Sequence, residues 1–219
     1  MNSKKVDSSQ QGIHPNLQKI VQKHRTTTFM RPIAEHTQRA FDSISERLLN
    51  STMPLYIDTG CGTGESTIHL AQQNTTALCV GIDRSEHRLA KASELPDNAI
   101  LLRAEVSDFI SLCAVHSLRI ERLYFLYPNP SPKPEHLMRR WYAHPIFPTA
   151  LSISNSVELR TNWAIYAQEF AVVLQMYGIA VQVEEYSPDT PITPFERKYK
   201  QSGHNLYRVV ADIPTTMQR

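Results

Sequence analysis

The chain has 219 residues, of which 41% are hydrophobic and 20% are charged, and its formal net charge is +2. This length and composition are typical of a globular protein with one sizeable core, and no apolar run approaches the roughly 18 residues that span a membrane. Three cysteines without a CxxC pair and a polar beginning argue against a disulfide framework and a signal peptide, so we expect a soluble, cytoplasmic protein without a membrane segment.

The chain divides into three parts by its pattern of polar and apolar residues. Residues 1–12 are polar and are predicted to form a disordered tail, whereas residues 13–50 are predicted to form an N-terminal helical extension. Residues 51–219 are predicted to form one domain in which short apolar runs alternate with helical patterns. The strand candidates are Leu55–Asp58, Ala77–Asp83, Ile100–Arg103, Arg122–Tyr127, Ser156–Thr161, Ala180–Glu184 and Asn205–Ile213. The helix candidates lie near residues 65–73, 85–94, 106–116, 145–154 and 163–177.

This alternation predicts an α/β, Rossmann-like fold with a mostly parallel seven-stranded sheet and helices on both faces. The last strand candidate follows the sixth through a long loop rather than through a helix. We therefore expect the last strand to enter the sheet antiparallel to its neighbours.

A glycine-rich turn follows the first strand candidate. Glycine is scarce in this chain, with seven residues in all, yet Gly60, Gly62 and Gly64 lie between Asp58 and Glu65. Such clustering predicts positive φ angles or a close approach of the backbone to a ligand at the end of the strand. The spacing fits neither the GxGxxG dinucleotide fingerprint nor the P-loop, and a carboxylate at the helix start disfavours a pyrophosphate.

Acidic residues near this turn favour a cationic ligand. Asp58 precedes the glycines, and Asp83 stands 19 residues after Gly64, close to the spacing of a carboxylate that binds ribose hydroxyls. S-adenosyl-L-methionine has no phosphate and carries an ammonium and a sulfonium, so we predict it as the cofactor. The predicted cofactor-binding residues are Asp58, Gly60, Gly62, Gly64, Asp83, Arg84 and Glu105. The alternative is that the acids are helix N-caps and that the glycines form only a tight turn.

Three further segments narrow the function. They are Leu126–Lys133 with Arg139-Arg140-Trp141 and His144-Pro145-Ile146-Phe147, then Arg160–Trp163 with Tyr166, and then Thr193–Tyr199 with Gly203-His204. Together with the glycine turn, these segments resemble the bacterial tRNA (guanine-N7-)-methyltransferase family, from about Leu55 to Arg208. The resemblance implies a class I methyltransferase fold and transfer of a methyl group from S-adenosyl-L-methionine to guanine N7 in tRNA.

The resemblance also implies roles for individual residues. Asn129 is implied as a cofactor-binding and catalytic residue, and the implied substrate-binding residues are Lys133, Asn162, Thr193, Phe195, Glu196 and Arg197. The family usually has aspartate at positions 129 and 162, and tryptophan where this chain has Ser131. Asparagine keeps one acceptor oxygen but loses the charge, so we expect weaker guanine recognition in a divergent member. Two alternatives are a methyltransferase with another acceptor and a non-catalytic RNA-binding or cofactor-sensing paralogue.

A tRNA partner requires cationic side chains for its phosphates and aromatic side chains for an extruded base. The phosphate-contact candidates are Lys23, Arg25, Arg31, Lys133, Arg139, Arg140, Arg197, Lys198 and Lys200. The stacking candidates are Phe29, Trp141, Tyr142 and Tyr199. Nine dispersed histidines show no zinc-site spacing, so we predict no metal, and we expect a monomer or a homodimer.

Overall fold

One sheet of seven strands organises residues 3–217, the part of the chain that the computed structural model describes. The strands are β1 (Leu55–Thr59), β2 (Leu78–Asp83), β3 (Ala99–Arg103), β4 (Ile120–Leu126), β5 (Ser154–Thr161), β6 (Glu184–Tyr186) and β7 (Leu206–Asp212). Their order is β3-β2-β1-β4-β5-β7-β6. The strands β3, β2, β1, β4 and β5 are parallel to their neighbours in this order, whereas β7 is antiparallel to both β5 and β6. The predicted sheet, mostly parallel with an antiparallel last strand, is confirmed.

Helices connect the strands and precede them. They are α1 (Leu17–Thr26), α2 (Glu35–Leu49), α3 (Glu65–Gln73), α4 (Glu86–Leu89), α5 (Val106–Val115), α6 (Phe147–Ser152), α7 (Ala164–Met176) and α8 (Pro194–Gln201). Shorter 3-10 turns span Pro134–Arg139, Trp141–Ala143 and Thr215–Met217. No helix within residues 3–217 is long and apolar enough to cross a membrane.

Alternate side chains of the central strands enter two separate cores. In β4, Leu123 and Phe125 pack into the larger core with α2, α5, α6 and α7, whereas Tyr124 and Leu126 pack into the smaller one with α3. Successive residues of a strand point to opposite faces, so both faces of the sheet are covered by helices. This arrangement leaves the carboxyl ends of β1, β2, β4 and β5 at one edge, where open α/β folds bind ligands.

Two elements differ from the sequence-based expectation. The apolar run predicted as the sixth strand begins at Ala180, but the strand forms at Glu184–Tyr186, because those residues pair with Leu206 to Arg208 of β7. The side chains of Val181 and Val183 instead pack against the core. The long loop expected before the last strand contains α8. Its start has the signals of a helix, namely Thr193 as N-cap and proline at the first helical position.

The N-terminal part of the chain lies against the domain. Asp108 at the start of α5 accepts a hydrogen bond from the Ala34 backbone and forms an ion pair with Arg31. Residues 3–12 form no helix or strand, but Ser8 donates to the carbonyl of Pro132 in the loop after β4. Residues 1–2 of the predicted tail and 218–219 of the predicted domain lie outside the described residues, and the division into three parts stays a prediction.

Candidate methyl-transfer site

The glycine turn connects β1 to α3 and adopts the conformation that its glycines predict. Gly60, Gly62 and Gly64 all have positive φ angles, of 73°, 62° and 78°. Gly64 is the N-cap of α3, and a Cβ there would lie 2.5 Å from Leu101 Cδ1, so a larger residue would be both strained and crowded. The turn is fastened to β2 because the Gly60 amide donates to the Ile82 carbonyl at 2.7 Å.

Asp58 is buried beneath this turn with one oxygen bonded and one free. Ser66 and Thr67 of α3 donate to its Oδ2 at 2.5 and 2.7 Å. Its Oδ1 is buried and receives no hydrogen bond from any residue in the described range 3–217. Burial raises the pKa of this carboxyl, the hydrogen bonds from Ser66 and Thr67 lower it, and the charge of Asp83 raises it, with a net increase. A buried acceptor without a donor fits a ligand that brings a positive charge.

Asp83 ends β2 and is almost fully engaged by the protein itself. Its Oδ2 accepts from the Gly62 amide at 3.0 Å, and its Oδ1 accepts from the Ser85 amide at 2.8 Å. Arg88 adds an ion pair of 2.9 Å to Oδ1. A carboxylate has about four acceptor positions, so Oδ2 retains one for a ribose hydroxyl.

A cleft of about 570 Å³ lies at this edge of the sheet and joins the cofactor and substrate positions predicted from the sequence. Seven of the predicted site residues line it, and they are Gly60, Asp83, Arg84, Glu105, Asn129, Asn162 and Phe195. Glu105 stands at the N-cap of α5, where its amide donates to Thr37 Oγ1 of α2 at 3.0 Å. The N-terminal extension therefore supports the position of an acid in the cleft.

Asn129 lies in a strained loop that follows β4. Tyr127 and Ser131 have left-handed φ angles of 50° and 44°, which are uncommon for residues other than glycine. The Ser131 amide donates to Asn129 Oδ1 at 3.0 Å, and Arg140 Nε donates to the Ser131 carbonyl at 3.3 Å. The Asn129 Nδ2 makes no hydrogen bond with the described part of the chain, residues 3–217, so its hydrogens are available to a ligand.

Asn162 follows β5, the neighbour of β4, and its amide is oriented in the opposite way to that of Asn129. Its Nδ2 lies 3.0 Å from His204 Nδ1, so the amino group is held by the histidine. The Asn162 side chain lines the cleft, and its Oδ1 receives no hydrogen bond from the residues described between 3 and 217. The oxygen is therefore available as an acceptor.

Thr193 and Glu196 serve the structure of α8. Thr193 Oγ1 accepts from the Glu196 amide at 2.9 Å as an N-cap. The fully buried Glu196 carboxylate accepts from the Ile192 amide at 2.7 Å, from Arg160 at 3.1 Å and from the hydroxyl of Tyr186. Neither side chain lines the cleft, and their predicted contact with the substrate stays a prediction.

The remaining predicted substrate residues lie at the surface. Arg197 forms an ion pair with Glu65 at the start of α3, in which its Nη2 donates to both carboxylate oxygens at 2.6 and 2.8 Å. Lys133 is exposed just before the 3-10 turn at Pro134–Arg139, and Phe195 is 47% exposed at the cleft. These positions suit contact with a large substrate better than with a small one.

Two of the candidate RNA contacts are wrong. Arg140 is fully buried and pairs with the buried Glu169, so it is not available to a phosphate. Tyr142 is also buried, with its hydroxyl bonded to the same carboxylate. Arg139, the neighbour of Arg140, is exposed and does line the cleft.

The sequence analysis assigned no site role to Arg88 or His144, which also line the cleft. Burial, together with the charges of His24 and Arg31, lowers the pKa of His144 to about 4, so this ring is neutral at physiological pH. Arg88 lies one helical turn after Ser85, the N-cap of α4. From this position an arginine side chain can reach back to Asp83, so the spacing is a sequence signal for the ion pair.

Residues 52–209 match the family model Methyltransf_4, described as "Putative methyltransferase". The match covers well over half of the chain. The protein belongs to this methyltransferase family. The predicted family and class of enzyme, a methyltransferase that uses S-adenosyl-L-methionine, are thereby confirmed. The unpaired buried oxygen of Asp58 and the open glycine turn fit this cofactor, whose methionine end carries an ammonium group.

Several curated relatives of this family member are named tRNA (guanine-N(7)-)-methyltransferase. The protein of Helicobacter hepaticus is 23% identical over 211 residues, which cover 90% of this chain and 52% of that protein, so the chain spans about half its length. The protein of Geobacillus sp. is 24% identical over 187 residues, which cover 78% of this chain and 84% of the relative. That of Rubrobacter xylanophilus is 26% identical over 177 residues, with 75% and 78% covered.

Solved structures with the same fold are methyltransferases. An antibiotic-related methyltransferase superimposes with a TM-score of 0.57 at 15% identity, covering 87% of this chain and 98% of its own. The 16S rRNA methyltransferase KamB has a TM-score of 0.56 at 16% identity, with 84% and 95% covered. These similarities confirm the predicted class I methyltransferase fold. The individual site residues and the oligomeric state, monomer or homodimer, stay predictions.

Proposed function

We propose that the protein transfers a methyl group from S-adenosyl-L-methionine to N7 of a guanine in tRNA, in the cytoplasm. The observation that carries this proposal is the convergence of Asn129 and Asn162 on the same cleft as Asp83 and Glu105. Because β4 and β5 are adjacent, the loops that follow them lie side by side, and this supports an acceptor-base site next to the predicted cofactor site. The names of the curated relatives support the same substrate class.

The hydrogen-bonding capacity of the two asparagines matches guanine. Asn129 accepts from the Ser131 amide through its oxygen and has its Nδ2 donors left for a ligand, whereas Asn162 has its nitrogen held by His204 and offers an acceptor. Guanine presents the acceptors O6 and N7 together with the donors N1–H and N2–H₂. One donor and one acceptor from neighbouring loops can therefore recognise guanine without a carboxylate.

The chemistry at N7 makes few demands on the protein. Guanine N7 carries a lone pair and no proton, so its methylation requires no general base. The cofactor supplies an electrophilic methyl group on its sulfonium. His144, with a pKa of about 4, is a weak base, in agreement with a site that positions the acceptor rather than deprotonating it. Orientation and exclusion of water supply the acceleration in such a reaction.

The walls of the cleft suit RNA. Its cationic side chains are Arg31, Arg84, Arg88 and Arg139. Arginines at a rim provide the phosphate contacts that dominate affinity for nucleic acids. Trp141, Phe195 and Tyr199 add aromatic surfaces in the same cleft, and such rings stack on bases removed from a helix.

The test uses purified protein, methyl-labelled S-adenosyl-L-methionine and tRNA from a strain that lacks this gene. After digestion to nucleosides, mass spectrometry should find the label in 7-methylguanosine. As a matched control, a transcript that carries 7-deazaguanosine, which has carbon in place of N7, should accept no methyl group. Label in another nucleoside, or equal labelling of the 7-deaza transcript, would contradict methylation at N7. If S-adenosyl-L-methionine does not bind in calorimetry, the protein is a non-catalytic paralogue.

A further inference from the structure

A chain of hydrogen bonds leads from the N-terminal segment to the amide of Asn162. The carbonyl oxygen of Ser3 lies 3.0 Å from His204 Nε2, and His204 Nδ1 lies 3.0 Å from Asn162 Nδ2. A backbone carbonyl can only accept, so Nε2 carries the hydrogen that is donated to Ser3. With the hydrogen on Nε2, Nδ1 is the acceptor nitrogen of the ring. It receives its hydrogen bond from the amino group of Asn162.

The imidazole of His204 is held in place by its surroundings. The ring stacks on Tyr199 of α8, with centroids 5.2 Å apart and an interplanar angle of 16°, and the residue is only 9% exposed. Its amide donates to the carbonyl of Tyr199 at 3.1 Å, directly after Gly203, which ends the helix with a φ of 69°. The position of His204 is therefore set by its contacts with Tyr199, and its tautomer by the carbonyl of Ser3.

We propose that His204 is a positioning residue that orients the Asn162 amide, so that the carbonyl oxygen and not the amino group faces the acceptor base. This orientation makes the pocket selective for a base edge that donates hydrogen bonds, such as N1–H and N2–H₂ of guanine. The inference rests on the proposed function for the identity of the base. His204 lies outside the cleft, and in this proposal it controls which atom of Asn162 faces the inside of the cleft.

The physical reason for such control is the asymmetry of an amide. A carboxylate presents an acceptor whichever oxygen faces the base, whereas a rotated amide presents donors instead. With the amide rotated by 180°, the NH₂ group of Asn162 would oppose the donors of guanine, and both partners would lose their hydrogen bonds. A buried polar group without a hydrogen-bond partner weakens binding. The orientation of the Asn162 amide therefore decides whether guanine binds well or poorly.

A double-mutant cycle tests this role through methyl transfer to tRNA. His204→Phe retains a ring that can stack on Tyr199 but has no ring nitrogen to hold the amide. In the Asn162 background, we expect kcat/KM for tRNA to fall about tenfold, mainly through KM, with the affinity for S-adenosyl-L-methionine unchanged. In the Asn162→Asp background, the same substitution should cost less than about twofold, because a carboxylate needs no orientation.

Equal losses in the two backgrounds would overturn the inference, since His204 would then act only through the packing of the C-terminal segment. A second readout is independent of catalysis. The ¹⁵N spectrum of the free protein should show His204 with a hydrogen on Nε2 and none on Nδ1, and this signal should disappear in His204→Phe. A hydrogen on Nδ1 at neutral pH would also overturn it. Failure of the wild type to methylate tRNA guanine would contradict the proposed function alone, and the tautomer would still decide how Asn162 is oriented.

Discussion

Arg140 and Glu169 form an ion pair in which both side chains are fully buried, with 2.6 Å between Nη1 and Oε2. The same guanidinium donates to the Ser131 carbonyl at 3.3 Å and lies 4.9 Å from the centroid of the Trp163 ring. Ser131 is bonded to Asn129, and Trp163 directly follows Asn162. One buried cation therefore supports the two loops that bring the asparagines into the cleft.

Removal of one partner should leave a buried charge without compensation. We expect Glu169→Leu to lower the free energy of unfolding by about 3–5 kcal/mol, as measured by urea denaturation. Arg140→Met with Glu169→Leu removes both charges and should recover at least about 1 kcal/mol of this loss. Methyl transfer should stay low in the double variant, because the Ser131 carbonyl has lost its donor. A double variant as unstable as Glu169→Leu alone would contradict the charge-based explanation.

Gly81 in β2 allows α3 to approach the sheet closely. A Cβ at this position would collide with Thr67 Oγ1 and would lie 2.7 Å from Leu101 Cδ2. Thr67 Oγ1 is also a donor to Asp58. We therefore expect Gly81→Ala to lower the free energy of unfolding by about 1–3 kcal/mol and to weaken binding of S-adenosyl-L-methionine about tenfold in calorimetry. Gly12→Ala is the matched control, because its Cβ would meet nothing within 4 Å.

Asp58 should make cofactor binding depend on pH. Its pKa is raised mainly by burial, so part of the population is protonated at a pH where an exposed aspartate is ionised. A ligand ammonium near the free Oδ1 favours the ionised form, so binding should release protons and the affinity should rise as the pH increases through the raised pKa. Calorimetry in two buffers with different ionisation enthalpies measures the release. Asp58→Asn should abolish it, and the same release in that variant would assign it to another group.

The positions of most strands along the chain and the mostly parallel character of the sheet could be predicted, because glycine turns and apolar runs are local signals. The displacement of the sixth strand could not, because it depends on the pairing of Glu184–Tyr186 with β7, a contact between residues about 20 positions apart. The helix α8 could have been predicted from Thr193, Pro194 and Glu196, whose spacing matches an N-cap with a first-turn acid.

The candidate site was only partly predictable for a similar reason. Motifs identified Asn129 and Asn162, but the direction of each amide is decided by Ser131 in one case and by His204 in the other. A pattern of residue types also does not distinguish Arg139 from Arg140, although one is exposed and the other is buried against Glu169. Burial is set by the packing of α7 against the loop, which no short motif contains.

This pair of adjacent arginines gives a test of RNA binding. Arg139 is exposed in the cleft and should contact phosphate, so Arg139→Ala should weaken tRNA binding and reduce the slope of log K against log salt concentration by about one unit. Arg140 is buried, and Arg140→Met should lower affinity without changing the slope, because its loss alters the loop rather than a phosphate contact. Filter binding of tRNA over a range of salt concentrations measures both quantities.

Arg47 provides the control, because it is an exposed arginine that lies away from the cleft. Its guanidinium contacts the carbonyl of Asp97, just before β3, and it therefore lies at the opposite edge of the sheet from the cleft. Arg47→Ala lowers the net charge of the protein by the same amount as Arg139→Ala, but it should leave both affinity and slope unchanged. Equal reductions in slope for Arg47→Ala and Arg139→Ala would mean that overall charge, and not contact at the cleft, determines the binding of tRNA.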